Sequence, residues 1–176
     1  MNIYAQIFGI LAMVFLINSY FNTKKRKYLF TQILSNIFFG IQYFILNAPT
    51  AVINTIIAII RLIVFYIYTK NTKAIPKKIF YIFEISIIVL IIITCRNFIA
   101  LIPLLIAALY TYGTWQKDLK KTYFIASIAA IIWIFYNLTI GAYVATIGNV
   151  IELISSINGI NRIIRKKNWQ KNKHIL

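Results

Sequence analysis

Acidic residues are scarce in this chain, which has three Asp and Glu against nineteen Lys and Arg and a formal net charge of +16. Because the sequence has a single cysteine, Cys95, an intramolecular disulfide and a metal site built from several thiolates are excluded. With His174 as the one histidine, no cluster of His, Cys and carboxylate residues is available for a catalytic metal. The sequence also lacks a nucleophile elbow and a glycine-rich phosphate loop. It therefore predicts no enzyme, no metal and no cofactor.

Long apolar runs fill the chain instead. Apolar residues make up 61% of the sequence and charged residues 12%, a balance that a soluble domain would not tolerate without aggregating. A membrane-spanning helix needs about 17–25 predominantly apolar residues. Seven such segments occur, at residues 3–21, 29–46, 49–69, 79–95, 97–115, 122–139 and 142–164. The predicted fold is an all-α integral membrane protein with seven transmembrane helices.

The basic residues are concentrated in every second connection between these segments. Seventeen of the nineteen lie after segments one, three, five and seven. The positive-inside rule places such connections in the cytoplasm. We therefore expect a multi-pass membrane protein with its amino terminus outside and its carboxyl terminus in the cytoplasm. This alternation, rather than one basic surface, argues against a nucleic-acid partner.

The two halves of the chain align at a spacing of about 94 residues. Lys27–Phe30 aligns with Lys121–Phe124, and the basic loop after segment one matches the loop after segment five. The predicted divisions are a first three-helix repeat at 1–69, a linker helix at 70–96, a second three-helix repeat at 97–165 and a basic cytoplasmic tail at 166–176. Because the linker adds one span, the two repeats are parallel. Transporters built this way bind substrate near the middle of the membrane, between the repeats.

Polar side chains follow one face of the third helix of each predicted repeat. Asn54 and Arg61 are seven residues apart on segment three, and Asn149 and Glu152 are three apart on segment seven. A charge at the centre of a span costs at least about 2.5–3.5 kcal/mol, so it is rarely kept without a partner or a purpose. We predict that Arg61 and Glu152 form a buried charge pair, with Glu84 as the alternative partner of Arg61.

Further polar or helix-bending residues lie within other segments. Trp133 and Asn137 share a face of segment six, where an indole near mid-membrane could stack on a ring of a solute. Asn36 lies on a polar stripe of segment two and could complete the lining of a site. Packing between helices is the alternative for Trp133, and an interhelical hydrogen bond is the alternative for each asparagine. Pro103 is a candidate hinge of segment five, or else a static bend.

A series of short sequence features occurs in a fixed order along nearly the whole chain. They are Ala5-Gln6 with Gly9, Phe21-Asn22, Arg61, Leu101-Ile102-Pro103, Trp133 with Asn137, Gly141, and Asn158-Gly159-x-Asn161 followed by Arg165. Together they resemble the YgjV-type bacterial inner-membrane proteins. The 3+1+3 arrangement is also similar to SWEET sugar transporters, PQ-loop proteins and PnuC-type vitamin transporters, although no Pro-Gln pair is present. The SWEET resemblance implies that Asn54 and Asn149 contact substrate.

These observations favour a small-solute transporter that works by alternating access, with a sugar, nucleoside or vitamin-like substrate. One alternative is a non-transporting membrane module that binds a protein or lipid partner. The other is an ion-coupled carrier in which Glu152 titrates. The expected partners are membrane lipids and a small-molecule solute, and a homo-oligomer is compatible with the sequence. The basic tail is expected to lie on anionic lipid headgroups, with docking of an acidic partner as its alternative.

Overall fold

An apolar chain that satisfies its backbone hydrogen bonds without water favours helices. The computed structural model describes residues 3–46, 49–70, 74–94, 98–139 and 143–173, and every regular element in these ranges is helical. The helices are α1 (Ile3–Ser19), α2 (Lys25–Ile45), α3 (Pro49–Lys70), α4 (Lys77–Thr94), α5 (Phe98–Trp115), α6 (Leu119–Thr139) and α7 (Tyr143–Lys173). The all-helical prediction is confirmed, and each predicted apolar segment overlaps one helix.

Length and hydropathy single out two described helical stretches as able to cross a membrane, Lys25–Ile45 and Leu119–Tyr136. The apolar stretches of α1 and α3 that pass the hydropathy test are shorter. Large apolar side chains are nevertheless exposed on other helices: Ile10 of α1 is 65% exposed and Ile92 of α4 is 75% exposed. Apolar surface of this kind requires a cover of lipid or protein. That all seven helices cross the membrane stays a prediction.

Internal contacts divide the chain into two units, Met1–Ile75 and Pro76–Leu176. In the first unit α1 packs against α2, and α2 packs against α3. In the second unit α4 packs against α5, α5 against α6, and α6 against α7. The main helix contacts within each unit thus follow the order of the chain, as short connections between antiparallel helices produce.

Polar side chains close the short turn in each unit. In the first unit, the side-chain amide of Asn22 donates to the carbonyl oxygens of Asn18 at 3.1 Å and Ser19 at 3.3 Å, which ends α1. In the second unit, Asp118 Oδ1 accepts the backbone N–H of Lys120 at 3.0 Å, which begins α6. Such an acceptor satisfies a donor of the first helical turn that has no intrahelical partner. One of the three acidic residues therefore has a capping role.

The helix interfaces of the two units are filled differently. Between α1 and α2, the buried rings of Tyr20 and Tyr28 have centroids 5.9 Å apart. Between α5 and α6, a side chain added at Gly113 would place its Cβ 3.1 Å from Cγ2 of Ile125. The buried face of α6 is correspondingly rich in alanine, at positions 126, 129 and 130. Small residues let helices approach closely.

Within each unit, considered separately, basic residues gather at one end. In the first, Arg26 Nε in the first turn of α2 donates to the Tyr66 hydroxyl of α3 at 3.1 Å, and the guanidinium lies 5.2 Å from the Tyr66 ring centroid. In the second, the Phe80 ring near the start of α4 lies 4.8 Å from the Trp115 ring at the end of α5. The basic residues that flank these two helix ends therefore lie on the same side of the second unit.

Candidate functional site

A buried carboxylate on α7 is the centre of a polar cluster in the second unit. Glu152 is 3% exposed. Its Oε1 accepts the hydroxyl of Tyr110 on α5 at 2.8 Å, and its Oε2 accepts Nδ2 of Asn149 at 3.3 Å. The bond to Asn149 joins residues three apart on one helix face, whereas the bond to Tyr110 joins two helices. Hydrogen bonds to an ionised acceptor are roughly twice as strong as those between neutral groups.

A pair of serines joins α6 to α7 one helical turn away from Glu152. The hydroxyl oxygens of Ser127 and Ser156 are 2.7 Å apart, and either can be the donor. Both side chains are buried, and each hydroxyl also lies within hydrogen-bond distance of a carbonyl of its own helix, Tyr123 for Ser127 and Leu153 for Ser156. The serine pair fixes which residues of the two antiparallel helices lie level with each other.

This register gives the depth of the cluster along the bundle. Lys121 on α6 and Arg162 on α7 are each six residues from their serine, so they lie level at the basic end. Glu152 is ten residues from Arg162, which corresponds to about 15 Å along the helix. That is half of the about 30 Å of a bilayer's hydrocarbon core. With the basic end at the membrane surface, the Glu152 cluster would lie near mid-membrane.

Trp133 lies at almost the same level as Asn149 by this register, on α6. Its side chain is partly exposed, and its ring meets that of Tyr136 edge-on with centroids 5.4 Å apart. The structure therefore places Trp133 against an aromatic neighbour of its own helix. Its predicted contact with a solute stays a prediction.

A separate apolar cleft of about 510 Å³ runs between α4 and α5, with one residue of α6 at its side. It is lined by Phe80, Leu105, Ala108, Leu109, Tyr112 and Ile132, together with Glu84. Leu105, Leu109 and Tyr112 follow one face of α5, and Tyr110 lies on another. The cleft is therefore distinct from the Glu152 cluster.

Polar residues of the first unit form hydrogen bonds both within one helix and between α1 and α2. Asn36 Nδ2 donates to the carbonyl oxygen of Gln32 on its own helix at 2.8 Å. Gln32 Nε2 in turn donates to Ser19 Oγ at 2.9 Å, which connects α2 to the end of α1. Arg61 is 8% exposed on α3. A second α2–α1 bond runs from Ser35 Oγ to the carbonyl oxygen of Ala12 at 2.8 Å.

The predicted pairing of Arg61 with Glu152 joins residues of different units and stays a prediction. A double-mutant cycle with Arg61→Leu and Glu152→Leu would test it, because contacting charges give non-additive losses of stability. Asn54, Asn137 and Pro103 have side chains outside the described residues, and their proposed roles also stay predictions. Among the residues that the structure describes, no group of three or more His, Cys, Asp or Glu could hold a metal ion.

Tyr110 is the cluster member that sequence reasoning missed. Its contact with Glu152 depends on how α5 and α7 pack, and the chain separation of 42 residues carries no periodic signal. A weak signal does exist. Long side chains on a helix lean toward its amino terminus, and for α5 that direction carries the Tyr110 hydroxyl away from the basic end and deeper into the unit.

Comparison with known proteins identifies a family for this chain. The Imp-YgjV family model, described as a bacterial inner membrane protein, matches residues 3–167. No curated protein and no solved structure matches the chain. The matched range includes α1 to α6 and most of α7, and therefore both units.

Proposed function

The chain belongs to the Imp-YgjV family of bacterial inner membrane proteins, and we propose that it is a small-solute transporter that works by alternating access. The observation that carries the proposal is the buried carboxylate of Glu152, held by Tyr110 and Asn149. Ionisable residues inside membrane proteins are costly, and they commonly mark a pathway for a substrate or an ion.

The topology belongs to the same proposal. We place all seven helices across the membrane, as two parallel three-helix repeats around a linker helix, with the amino terminus outside and the carboxyl terminus in the cytoplasm. The alternating basic loops support this arrangement, as does the gathering of basic residues at one end of each unit. A reporter fused after Leu176 should be active only in the cytoplasm. Periplasmic activity of that fusion would contradict the topology.

The chemistry of the cluster suits a hydroxyl-bearing solute such as a sugar or nucleoside. Glu152 offers acceptor oxygens, and Asn149 and the Tyr110 hydroxyl can each donate and accept. A bound solute could replace one of the bonds between these residues without leaving a buried group unsatisfied, which limits the cost of opening the cluster. Trp133 at nearly the same level would add a flat surface for a ring. Asn36, Asn54 and Asn137 remain further candidates for the lining.

Ion coupling is the second candidate, and the Tyr110–Glu152 bond favours it. A phenol can donate to an ionised carboxylate and can accept from a protonated one, so Tyr110 could stay bonded to Glu152 in both protonation states. Glu152→Gln keeps the size of the side chain and one acceptor oxygen, replaces the other oxygen with an NH2 donor, and cannot titrate. Solute uptake driven by a proton gradient in proteoliposomes should then be lost, whereas uncoupled exchange of the same solute should continue.

The test of transport begins with binding to the purified full-length chain in detergent. We expect at least one solute of a metabolite library to raise the melting temperature, because a ligand at 100 times its Kd adds about 2.7 kcal/mol of stability. Tyr110→Phe and Glu152→Gln should reduce that shift. Ser86→Ala is the matched control, since the Ser86 hydroxyl donates to carbonyls of its own helix on α4.

The outcome separates the function classes. A solute that stabilises the wild type and the Ser86→Ala variant, but not the two cluster variants, would support a site at Glu152. A complete absence of stabilising solutes would contradict the transporter and favour the non-transporting module. Stabilisation that survives both cluster substitutions would place the binding site elsewhere.

A further inference from the structure

α7 is longer than the bundle to which it belongs. It contains 31 residues, from Tyr143 to Lys173. By the register of the Ser127–Ser156 pair, Ile164 lies level with Leu119, where α6 begins. The nine remaining residues extend about 13 Å beyond that level. The final turns of α7 therefore stand clear of α6 at the basic end of the unit.

The extension carries a basic and aromatic face. Arg162, Arg165, Lys166 and Trp169 are spaced three, four and seven residues from the first, which places them along one side of the helix. Arg165 and Lys166 are exposed, and Trp169 is 64% exposed. An indole exposed next to cations is unusual on a helix surface that faces only water, because a large apolar ring is then in contact with solvent.

The depth of this face matches a particular layer of the membrane. Arg162 lies level with Lys121 of α6, at the start of the basic end. Trp169 is five residues beyond the level of Leu119, or about 7 Å along the helix. A bilayer of about 40–45 Å with a hydrocarbon core of about 30 Å has a headgroup layer of similar thickness on each side. From Arg162 to Trp169 the face is seven residues, or about 10 Å, long. With Arg162 at the hydrocarbon boundary the face therefore crosses the headgroup layer to its outer edge, and the Trp169 side chain leans back into that layer because long side chains on a helix lean toward its amino terminus.

We propose that the Arg162–Trp169 face of α7 binds the phosphate of anionic phospholipids such as phosphatidylglycerol. Arginine donates two parallel hydrogen bonds to a phosphate, and Lys166 adds a third positive charge. The Trp169 ring lies at headgroup level, where its N–H can reach polar headgroup atoms. Basic clusters directly beyond a membrane helix recognise anionic lipids in this way. The site is independent of whether the protein transports a solute.

The headgroup depth favours lipid over an acidic protein or a nucleic acid. A soluble partner would have to displace headgroups to reach Arg162, which is partly buried in the unit. Lipid phosphates already occupy that layer. Charge on the neighbouring α6, at Lys120 and Lys121, adds to the attraction for an anionic surface at the same level.

Quenching of Trp169 by brominated lipids tests the proposal in proteoliposomes that hold the full-length chain. The difference between the wild type and Trp169→Phe isolates the emission of Trp169 from that of the other two tryptophans. Brominated phosphatidylglycerol should quench this emission about twofold more than brominated phosphatidylcholine at the same mole fraction, because anionic lipid is enriched around the face. About 1 M salt should reduce the preference, since the Debye length falls to about 3 Å.

Charge substitutions complete the experiment. Arg162→Gln, Arg165→Gln and Lys166→Gln combined should abolish the preference for the anionic lipid. Lys77→Gln with Lys78→Gln, which removes two exposed charges at the start of α4, should preserve it. Equal quenching by the two lipids in the wild type would overturn the proposal, and so would a preference that survives the triple substitution. Trp169 that neither lipid quenches would place the face outside the membrane and favour a soluble acidic partner.

Discussion

At aligned positions near the basic end, the first unit holds α2 against α1 with aromatic rings and a side-chain amide, whereas the second holds α6 against α5 with a hydroxyl and close backbone packing. In the first, Tyr28 packs on Tyr20, and Gln32 bonds Ser19. In the second, Thr122 Oγ1 donates to the carbonyl oxygen of Gly113 at 2.8 Å. The alignment of the two halves pairs Tyr28 with Thr122, where the side chain becomes smaller.

The same alignment pairs Ser19 with Gly113, so two reductions in side-chain size fall at one interface. A smaller side chain on one helix and a missing Cβ on the other allow a close approach of α5 and α6 at this level. In the first unit the close approach of α1 and α2 lies at Gly9 instead, where an added Cβ would be 2.5 Å from Gln42 Nε2.

The last helices of the two units differ in charge: α3 buries Arg61, and α7 buries Glu152. The two units agree in the order in which their helices pack and in the charge of their loops, but they differ in the side chains that fill the helix interfaces. Their buried charged residues are opposite in sign, which distinguishes the units chemically.

The largest expected effect concerns the acidic cluster of the second unit. Tyr110→Phe removes the donor to Glu152 Oε1 and should lower the free energy of unfolding by about 1.5–3 kcal/mol, because the lost bond involves a charged group. Denaturant unfolding in detergent measures the loss. Tyr112→Phe is the matched control, since it removes a hydroxyl two residues away on a side chain that is 45% exposed. Equal losses for the two variants would show that the Glu152 bond is not special.

The second test exchanges a residue between the units. Gly113→Ser gives the second unit the residue that the first has at the aligned position, and the new Cβ would lie 3.1 Å from Ile125 Cγ2. A β-branched neighbour yields little, so we expect a loss of about 1–3 kcal/mol from overpacking. The melting temperature of the purified variant reports it.

Gly40→Ala is the control for this exchange. Its new Cβ would meet Thr55 Cγ2 at 3.4 Å, an ordinary contact, and alanine is favoured over glycine in a helix by about 1 kcal/mol. This variant should be as stable as the wild type or more so. A stable Gly113→Ser variant would mean that close approach is not what separates the two interfaces.

A smaller effect is expected at the two polar bridges, one in each unit. Double-mutant cycles to alanine at Ser127 and Ser156, and at Ser19 and Gln32, should each give a coupling of about 0.6 kcal/mol, with about 1.7 as the upper range. Similar couplings would show that the bridges do equivalent structural work in different units. A coupling at one pair alone would sharpen the difference between the units.

The smallest effect belongs to the exposed contact between Arg26 and Tyr66. Arg26→Gln should cost about 0.5 kcal/mol, the lower end for a cation over an aromatic ring at an exposed site. The loss should shrink at high salt because the charge is screened. Unfolding in low and high salt measures it. A cost well above 1 kcal/mol would mean that the packing of the start of α2 on α3 depends on this contact.

Helices and local contacts were predictable from sequence, and contacts between helices were not. The helices follow from apolar runs with polar or basic ends, and the Asn149–Glu152 contact follows from a spacing of three on one helix. The contact of Tyr110 with Glu152 depends on the packing of α5 and α7. The hydrogen-bond partner of the Asn36 amide was also not predictable. It bonds its own helix, a choice that its position on a polar stripe does not reveal.

α7 is one continuous helix that connects the buried Glu152 cluster to the basic and aromatic face at its end. From Glu152 to Trp169 the helix runs seventeen residues, or about 25 Å, without a described interruption. A rigid rod of that length that tilts by about 10° around Glu152 moves its far end by about 4 Å. A small tilt of α7 near Glu152 would therefore produce a larger and measurable displacement at the end of the helix. A spin label or fluorophore attached there would report rearrangement around Glu152 without altering any residue of the cluster.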